Sequence, residues 1–121
     1  TVYALGLLGA RHEPFLRAVC EHAPARLPEM STQNIAMTVY GLGLLGHREE
    51  AFLEAVCAHL PGRLPECEAQ GVSSVLHGLG LLGFRHEGVL RALCAHTAGR
   101  LGDFGEQQIS VSVFNLGTLG F

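Results

Sequence analysis

The chain contains no lysine and no tryptophan, and aromatic residues make up only 7% of it. All eight basic residues are therefore arginines, and the formal net charge is −3. A negative total argues mildly against a nucleic-acid-binding domain, because phosphate contacts usually require a basic surface. Long apolar runs are also lacking, and no run reaches the length that spans a bilayer. Composition therefore predicts neither a strongly basic domain nor a membrane-spanning chain.

A nine-residue motif recurs four times along the chain. Its closing glycines, Gly9, Gly46, Gly83 and Gly120, are 37 residues apart each time. Aligning residues 1–37 with residues 38–74 gives 22 identities in 37 positions without a gap. A constant period in this range is typical of proteins whose repeated units stack on one another. Residues at the same place in successive units are called a column below.

The period divides the chain into three units and a partial fourth, at about 1–37, 38–74, 75–111 and 112–121. A hydrophobic content of 48% excludes a disordered chain. The sequence begins at Thr1 and ends at Phe121, in both cases within or just after the motif, and it carries no initiator methionine or targeting sequence. We expect one repeat segment of a longer protein, whose localisation these residues do not encode.

Each unit is predicted to contain two helices. In the first, helix A, the apolar residues Ile35, Val39, Leu42 and Leu45 follow helical spacing. Ser31 or Thr32 is placed to cap its start, and a left-handed glycine is expected to end it. The predicted ranges are about 32–45, 69–82 and 106–119, with a remnant at 1–8. A strand-and-turn interpretation of the Leu-Gly-rich stretch is the alternative.

The second helix of each unit, helix B, is predicted at about 12–23, 49–60 and 86–97. Pro14 suits a first helical turn, where no amide donor is needed. Pro24 and Pro61 are expected to end or kink the helix. Glycines inside helix A, such as Gly41 and Gly43, predict close approach to a neighbouring helix, because an interior glycine otherwise costs about 1 kcal/mol. The predicted fold is all-α, a right-handed α-solenoid of stacked antiparallel helix pairs.

The titratable residues do not converge on a catalytic site. Cys20, Cys57 and Cys94 form one column, and equivalent positions of stacked helices lie about 10 Å apart, too far to share a disulfide or a metal. These cysteines and Cys67 are expected to be reduced apolar fillers. The column His22, His59 and His96 is interpreted as helix-end histidines. We therefore expect no enzymatic activity, no cofactor, no metal and no small-molecule substrate.

The segment from Gln33 to Gly46 resembles the octotricopeptide and heptatricopeptide repeats of organellar RNA-binding proteins. Glutamine, a small-polar segment, an aromatic, leucine and a closing glycine follow one another in that family's order. The aromatic, often tryptophan there, is Tyr3, Tyr40, His77 and Phe114 in this chain. The resemblance covers all 121 residues. It implies an organellar protein, mitochondrial rather than chloroplast, that acts in RNA metabolism or as a subunit of a ribosome or another ribonucleoprotein.

Repeat proteins of this kind read single-stranded RNA with a few side chains at constant places in each unit. Positions 34, 38 and 41 share one helical face by their spacing. We predict that the variable residues at these columns contact RNA, with the amides pairing with base edges, or else vary only because they are exposed. The predicted contacts are Asn34, Thr38, Gln108, Ser112 and Asn115.

Arginine fills two further columns, which stacking would convert into rows on the surface. They are Arg11, Arg48 and Arg85, and Arg26, Arg63 and Arg100. These side chains are predicted either to meet RNA phosphates or to pair internally with Glu13, Glu29, Glu66 and Asp103. The aromatic column is predicted either to stack on bases or to be buried between helices.

Two roles without base reading remain as alternatives. One is a scaffold inside a large ribonucleoprotein, where the segment holds rRNA and neighbouring subunits. The other is a protein–protein solenoid that does not contact RNA directly. No membrane partner is expected.

Overall fold

The computed structural model describes residues 2–9 and 12–121, and within these ranges the chain forms seven α-helices and no strand. The helices are α1 (Val2–Leu8), α2 (Glu13–His22), α3 (Thr32–Leu45), α4 (Glu50–His59), α5 (Ala69–Leu82), α6 (Glu87–Ala98) and α7 (Glu106–Thr118). The predicted bounds are confirmed to within one or two residues, and the all-α fold class is confirmed. The strand-and-turn alternative is wrong for the described Leu-Gly-rich stretches.

The helices alternate between two rows. The A helices α1, α3, α5 and α7 pack on one another in chain order, and these are the most extensive contacts between elements. The B helices α2, α4 and α6 also pack in chain order, with looser contacts. The core lies between the rows, where Leu16, Leu42, Leu53, Leu79 and Leu90 are completely buried. Among the described helices, none is long and apolar enough to span a bilayer.

The A helices begin and end as their sequence predicts. The Ser31 hydroxyl accepts a hydrogen bond from the Asn34 amide at 3.1 Å and caps the start of α3. Gly46 ends α3 in the left-handed region at φ 66°, and its amide donates back to the carbonyls of Leu42 and Gly43. The equivalent glycines of the column have φ between 64° and 71°. A residue with a Cβ is strained in this conformation, which explains glycine at each of these positions.

The B helices use a cap that the sequence analysis missed. Nδ1 of His12 accepts from the Phe15 amide at 3.2 Å, and Nδ1 of His86 accepts from the Val89 amide at 3.0 Å. Glu49 occupies the same column but makes no side-chain cap. Pro24 and Pro61 do end the α-helices, since short 3₁₀ segments follow at Ala23–Glu29 and Leu60–Glu66. The 3₁₀ geometry was also unpredicted.

Interior glycines bring the A helices into backbone contact. A Cβ at Gly41 would lie 2.7 Å from the Val2 carbonyl oxygen of α1, and a Cβ at Gly43 would lie 2.9 Å from the Gly78 Cα of α5. Both distances are shorter than real Cβ atoms tolerate. The predicted close approach is therefore confirmed, and it explains why glycine persists within these helices despite its low helix propensity.

Candidate nucleic-acid interface

A shallow groove runs across the outer face of the A helices, which we call the A-helix groove. One part, of about 450 Å³, lies between α3 and α5, and a second, of about 500 Å³, lies between α5 and α7. Tyr40, Gln70 and Ser74 line both parts, so the two are continuous. The groove is open to solvent along its length and is the right shape for an extended chain rather than a compact ligand.

An aromatic row forms part of the groove. The ring centroids of Tyr3 and Tyr40 are 5.8 Å apart, and those of Tyr40 and His77 are 4.9 Å apart, with the planes inclined by 34° and 31°. These three rings are half-buried, whereas Phe114 of the same column is 73% exposed. The rings therefore pack on one another and still present an edge to the groove. Neither sequence alternative, free stacking platforms or full burial, describes them completely.

The floor of the groove consists of uncharged polar side chains. Gln33, Gln70 and Gln107 form a column along it, and the neighbouring column carries Met37, Ser74 and Val111. Nε2 of Gln108 donates to Oε1 of Gln70 at 3.2 Å, which links α7 to α5. Amide side chains that offer both donors and acceptors are suited to the edges of bases or to a peptide backbone.

The charge of the groove is negative. Glu66, Glu68 and Glu106 lie on its walls, and none of the described arginines lines either part. The adjacent Arg63 donates to the Glu66 carboxylate, which lowers the pKa of Glu66 and keeps it ionised. A polyanion that enters this groove meets no compensating cation on its floor.

The arginine column of Arg48 and Arg85 is engaged within the protein. Nη1 of Arg48 donates to the carbonyls of Leu82 at 3.1 Å and Gly83 at 3.2 Å, and Nε donates to Glu50 at 2.9 Å. Nη2 of Arg85 donates to Glu87 at 2.6 Å. The guanidinium groups also lie over aromatic rings, Arg48 over Phe84 and Arg85 over Phe121. Arg11, the first predicted member of this column, lies outside the described residues.

Arg63 is more enclosed, with a side chain 18% exposed compared with 43% for Arg48 and 47% for Arg85. Its guanidinium donates to both carboxylate oxygens of Glu66 and to the carbonyls of Leu27 and Met30 in the preceding unit. Internal pairing is confirmed for Arg63, whose partner Glu66 is among those predicted, whereas Arg48 and Arg85 pair with Glu50 and Glu87, which occupy the column of the predicted Glu13. Arg26 and Arg100 are solvent-exposed, and their predicted contact with phosphates stays a prediction.

The predicted base-reading columns do not form one open face. Asn34 is exposed, but the Thr38 hydroxyl donates to the Asn34 carbonyl at 2.8 Å within the helix. Ser112 and Asn115 are buried, and Nδ2 of Asn115 donates to the Val111 carbonyl at 2.8 Å. Gln108 lies at the groove, where its Oε1 also accepts from the Gly105 amide. The expectation that Ser112 and Asn115 are accessible to a ligand is wrong.

The physical reason is the side of the helix on which each of these positions lies. Positions 34, 38 and 41 do lie on one side, but the column at 41 faces the preceding A helix, as the contact of Gly41 with Val2 shows. Asn115 occupies the equivalent place in α7 and packs against Gly80 of α5. The side opposite the buried Val39 and its neighbours carries Gln33, Met37 and Tyr40 instead. The apolar stripe contained this information, since it sets which side remains for solvent.

The cysteines and histidines agree with an interior role. Burial raises the pKa of the Cys20 and Cys57 thiols to about 12, so neither is a ready nucleophile. His22 and His59 are the last residues of α2 and α4, as predicted. Burial and the nearby Arg100 lower the pKa of His96, which is therefore neutral at physiological pH.

Comparison with known proteins assigns no family to the chain. No family model matches it, and no curated protein matches it at a significant level. Function is therefore inferred from the groove and its side chains.

Proposed function

We propose that the chain is part of a right-handed α-solenoid that binds single-stranded RNA or an rRNA segment in its A-helix groove. The observation that supports this most directly is the row of half-buried rings at Tyr3, Tyr40 and His77 beside a column of glutamines. Aromatic faces and edges accept bases of any sequence, and amides pair with base edges. The protein's place is an organellar ribonucleoprotein, the mitochondrial ribosome or a related particle, where it binds without catalysing a reaction.

The charge distribution specifies how such binding would work. Three arginines are already hydrogen-bonded within the protein, and the groove walls carry Glu66, Glu68 and Glu106. Affinity would therefore come from stacking and base-edge hydrogen bonds rather than from neutralised phosphates. RNA binding should then depend only weakly on salt, because few counterions are released.

Within the groove, the column of Met37, Ser74 and Val111 provides a difference between units. It lies beside the constant glutamines and changes from a flexible apolar residue to a hydroxyl to a branched apolar residue. A base or a nucleotide step that contacts one unit would meet a different surface in the next. This column, rather than Ser112 or Asn115, is the better place for sequence preference.

Fluorescence anisotropy with labelled single-stranded RNA tests the proposal. Replacement of Tyr40 by alanine should weaken binding by about fivefold or more, since each aromatic–base stack contributes about 1–3 kcal/mol. The matched control is Arg17→Ala, an exposed residue of α2 outside the groove. Circular dichroism establishes that Tyr40→Ala remains folded, and Tyr40→Leu serves as a second variant that retains apolar packing. Absence of RNA binding, or equal affinities of all variants, would contradict the proposal.

The acidic walls favour a second candidate function, a protein scaffold that binds a basic, extended peptide. Glutamine side chains hydrogen-bond to peptide groups as well as they do to bases, and Glu68 and Glu106 would pair with arginine or lysine. The same anisotropy assay with a labelled Arg-rich peptide separates the two functions. Tight peptide binding that falls steeply with salt, together with no RNA binding, would favour the scaffold.

A further inference from the structure

Three potential metal ligands meet where α2 approaches the segment between α3 and α4. They are the Cys20 thiol, the His47 imidazole and the Glu49 carboxylate, and one ligand atom from each lies within 4.8 Å of the other two. Cys20 belongs to α2 of the first unit, whereas His47 and Glu49 lie between α3 and α4 of the second. Cys20 and His47 are buried, at 4% and 6% exposure, and the Glu49 side chain is 28% exposed.

The cluster is a departure from the repeat. One unit further on, the same three columns hold Cys57, Phe84 and His86. Phe84 is a buried apolar filler, and His86 caps α6 through its Nδ1. Two of the three positions therefore differ together: His47 places a potential metal ligand where Phe84 has none, and Glu49 places a carboxylate where His86 has an imidazole.

The two changed residues act on each other rather than in the roles their columns have elsewhere. His47 Nε2 lies 2.9 Å from Glu49 Oε1, so Glu49 directs its carboxylate at the imidazole. In the same column, His12 and His86 use their side chains to cap the start of a helix. Glu49 does not, so α4 begins without a side-chain cap. A buried imidazole in place of a phenylalanine costs stability unless its nitrogens have partners, and Glu49 supplies the partner of Nε2.

We infer that Cys20, His47 and Glu49 bind a divalent transition-metal ion of the zinc class. Thiolate, imidazole and carboxylate are the ligands that zinc takes, at about 2.3, 2.0 and 2.1 Å. Tetrahedral angles then place sulfur and nitrogen about 3.5 Å apart and nitrogen and oxygen about 3.3 Å apart. His47 Nε2 and Glu49 Oε1 are 2.9 Å apart, and the Cys20 sulfur lies within 4.8 Å of both, so shifts of up to about 1.3 Å bring the three atoms to these values. A water completes the fourth position.

Charge and orientation also suit the ion. The Cys20 thiol releases its proton to solvent when the ion binds, and the resulting thiolate and the Glu49 carboxylate together neutralise the divalent cation. Glu13 Oε2 lies 3.6 Å from His47 Nδ1, on the opposite side of the ring from Glu49. This distance is slightly too long for a hydrogen bond, and a small approach would make Glu13 the carboxylate that commonly holds the second ring nitrogen of a ligating histidine. Metal binding would connect α2 of the first unit to the segment between α3 and α4 of the second unit.

Cobalt titration of the reduced, chelator-treated protein tests the inference. Co²⁺ replaces zinc and reports a thiolate ligand by a charge-transfer band in the near ultraviolet. We expect one equivalent to bind with that band, and Zn²⁺ to displace it. Cys20→Ala should remove the band, whereas Cys57→Ala, an equally buried thiol one unit away, should retain it. A wild-type protein without the band, or a band lost in Cys57→Ala but not in Cys20→Ala, would overturn the inference.

Two further variants keep the test decisive where Cys20→Ala fails to fold. His47→Phe installs the next unit's residue and should fold while binding no cobalt. At a free zinc concentration 100-fold above its Kd, the unfolding equilibrium constant of the wild type should fall about 100-fold, and that of His47→Phe should not change. The double variant Phe84→His/His86→Glu should build the same site around Cys57 and raise the stoichiometry to two. Equal zinc stabilisation of wild type and His47→Phe would refute the site.

Discussion

The guanidinium of Arg48 reaches the carbonyl of Leu82, 34 residues further along the chain, at 3.1 Å. It thereby satisfies a carbonyl at the end of α5 that has no intrahelical donor, and it joins one unit to the next. Arg63 makes the reverse link, to the carbonyls of Leu27 and Met30 in the unit before it. Arg48 and Arg63 therefore connect successive units, and this accounts for arginine at these two positions without any ligand.

Replacement of Arg48 by alanine should reduce the free energy of unfolding by about 1–2 kcal/mol. The variant loses two charge-assisted hydrogen bonds to helix-end carbonyls and a cation–π contact, partly offset because the side chain is near solvent. Urea unfolding followed by circular dichroism measures the change, with Arg17→Ala as the exposed control. Unchanged stability together with weakened RNA binding would assign Arg48 to the ligand instead.

Replacement of glycine by alanine should change the stability of the protein in opposite directions at two positions of one column. Gly43→Ala places a Cβ 2.9 Å from the Gly78 Cα and should destabilise the protein by about 1–3 kcal/mol, despite the gain in helix propensity. A Cβ at Gly117 meets nothing within 4 Å, so Gly117→Ala should stabilise it by about 0.5–1 kcal/mol. Thermal unfolding of the two variants gives the comparison. Equal shifts would show that helix packing does not select the glycines.

Exchanging serine and valine at two positions of another column should also change the free energy of unfolding in opposite directions. The buried Ser112 hydroxyl has no hydrogen-bond partner among the described residues, whereas Val75 fills the equivalent place in α5. Ser112→Val should raise the free energy of unfolding by about 1 kcal/mol, because an unpaired buried hydroxyl is removed. Val75→Ser should lower it by a similar or larger amount. Denaturant titrations of both variants decide whether the column is a packing position.

Stability should fall at alkaline pH because of the two most buried thiols. Their pKa rises from 9.0 to about 12 on folding, so the unfolded chain releases these protons first. The stabilising contribution is complete below about pH 9 and is lost as pH rises toward about 12, at up to about 1.4 kcal/mol per pH unit for each thiol. Urea titrations of the chelator-treated protein at several alkaline pH values test this. Cys57→Ala should show a shallower decline than the wild type, and identical slopes would contradict the assignment.

The residue types and their spacing along the sequence were sufficient to predict where the helices begin and end. The period of 37, the apolar stripe through Val39 and Leu42, the Ser31 cap and the terminal glycines predicted the A helices almost to the residue. Histidine caps were missed because histidine is not among the usual capping residues. His12 and His86 share a column, however, and that repetition just before a helix was an available signal.

The candidate sites were predicted less well, because they depend on which side of each helix meets a neighbour. The predicted RNA-contacting positions 34, 38 and 41 each follow by one residue the positions that line the groove. The solvent-facing side carries Gln33, Met37 and Tyr40 instead. The cysteine spacing excluded a cysteine-only site, but it could not show that Cys20 of one unit meets His47 and Glu49 of the next.

By itself, the sequence determined the number of helices, their limits and their repetition, since caps, breakers and apolar spacing act over a few residues. The tertiary structure alone decided where the arginines, Asn115 and the Cys20 cluster point. Their partners lie about one unit away along the chain, and only the packing of one helix on the next brings such residues together.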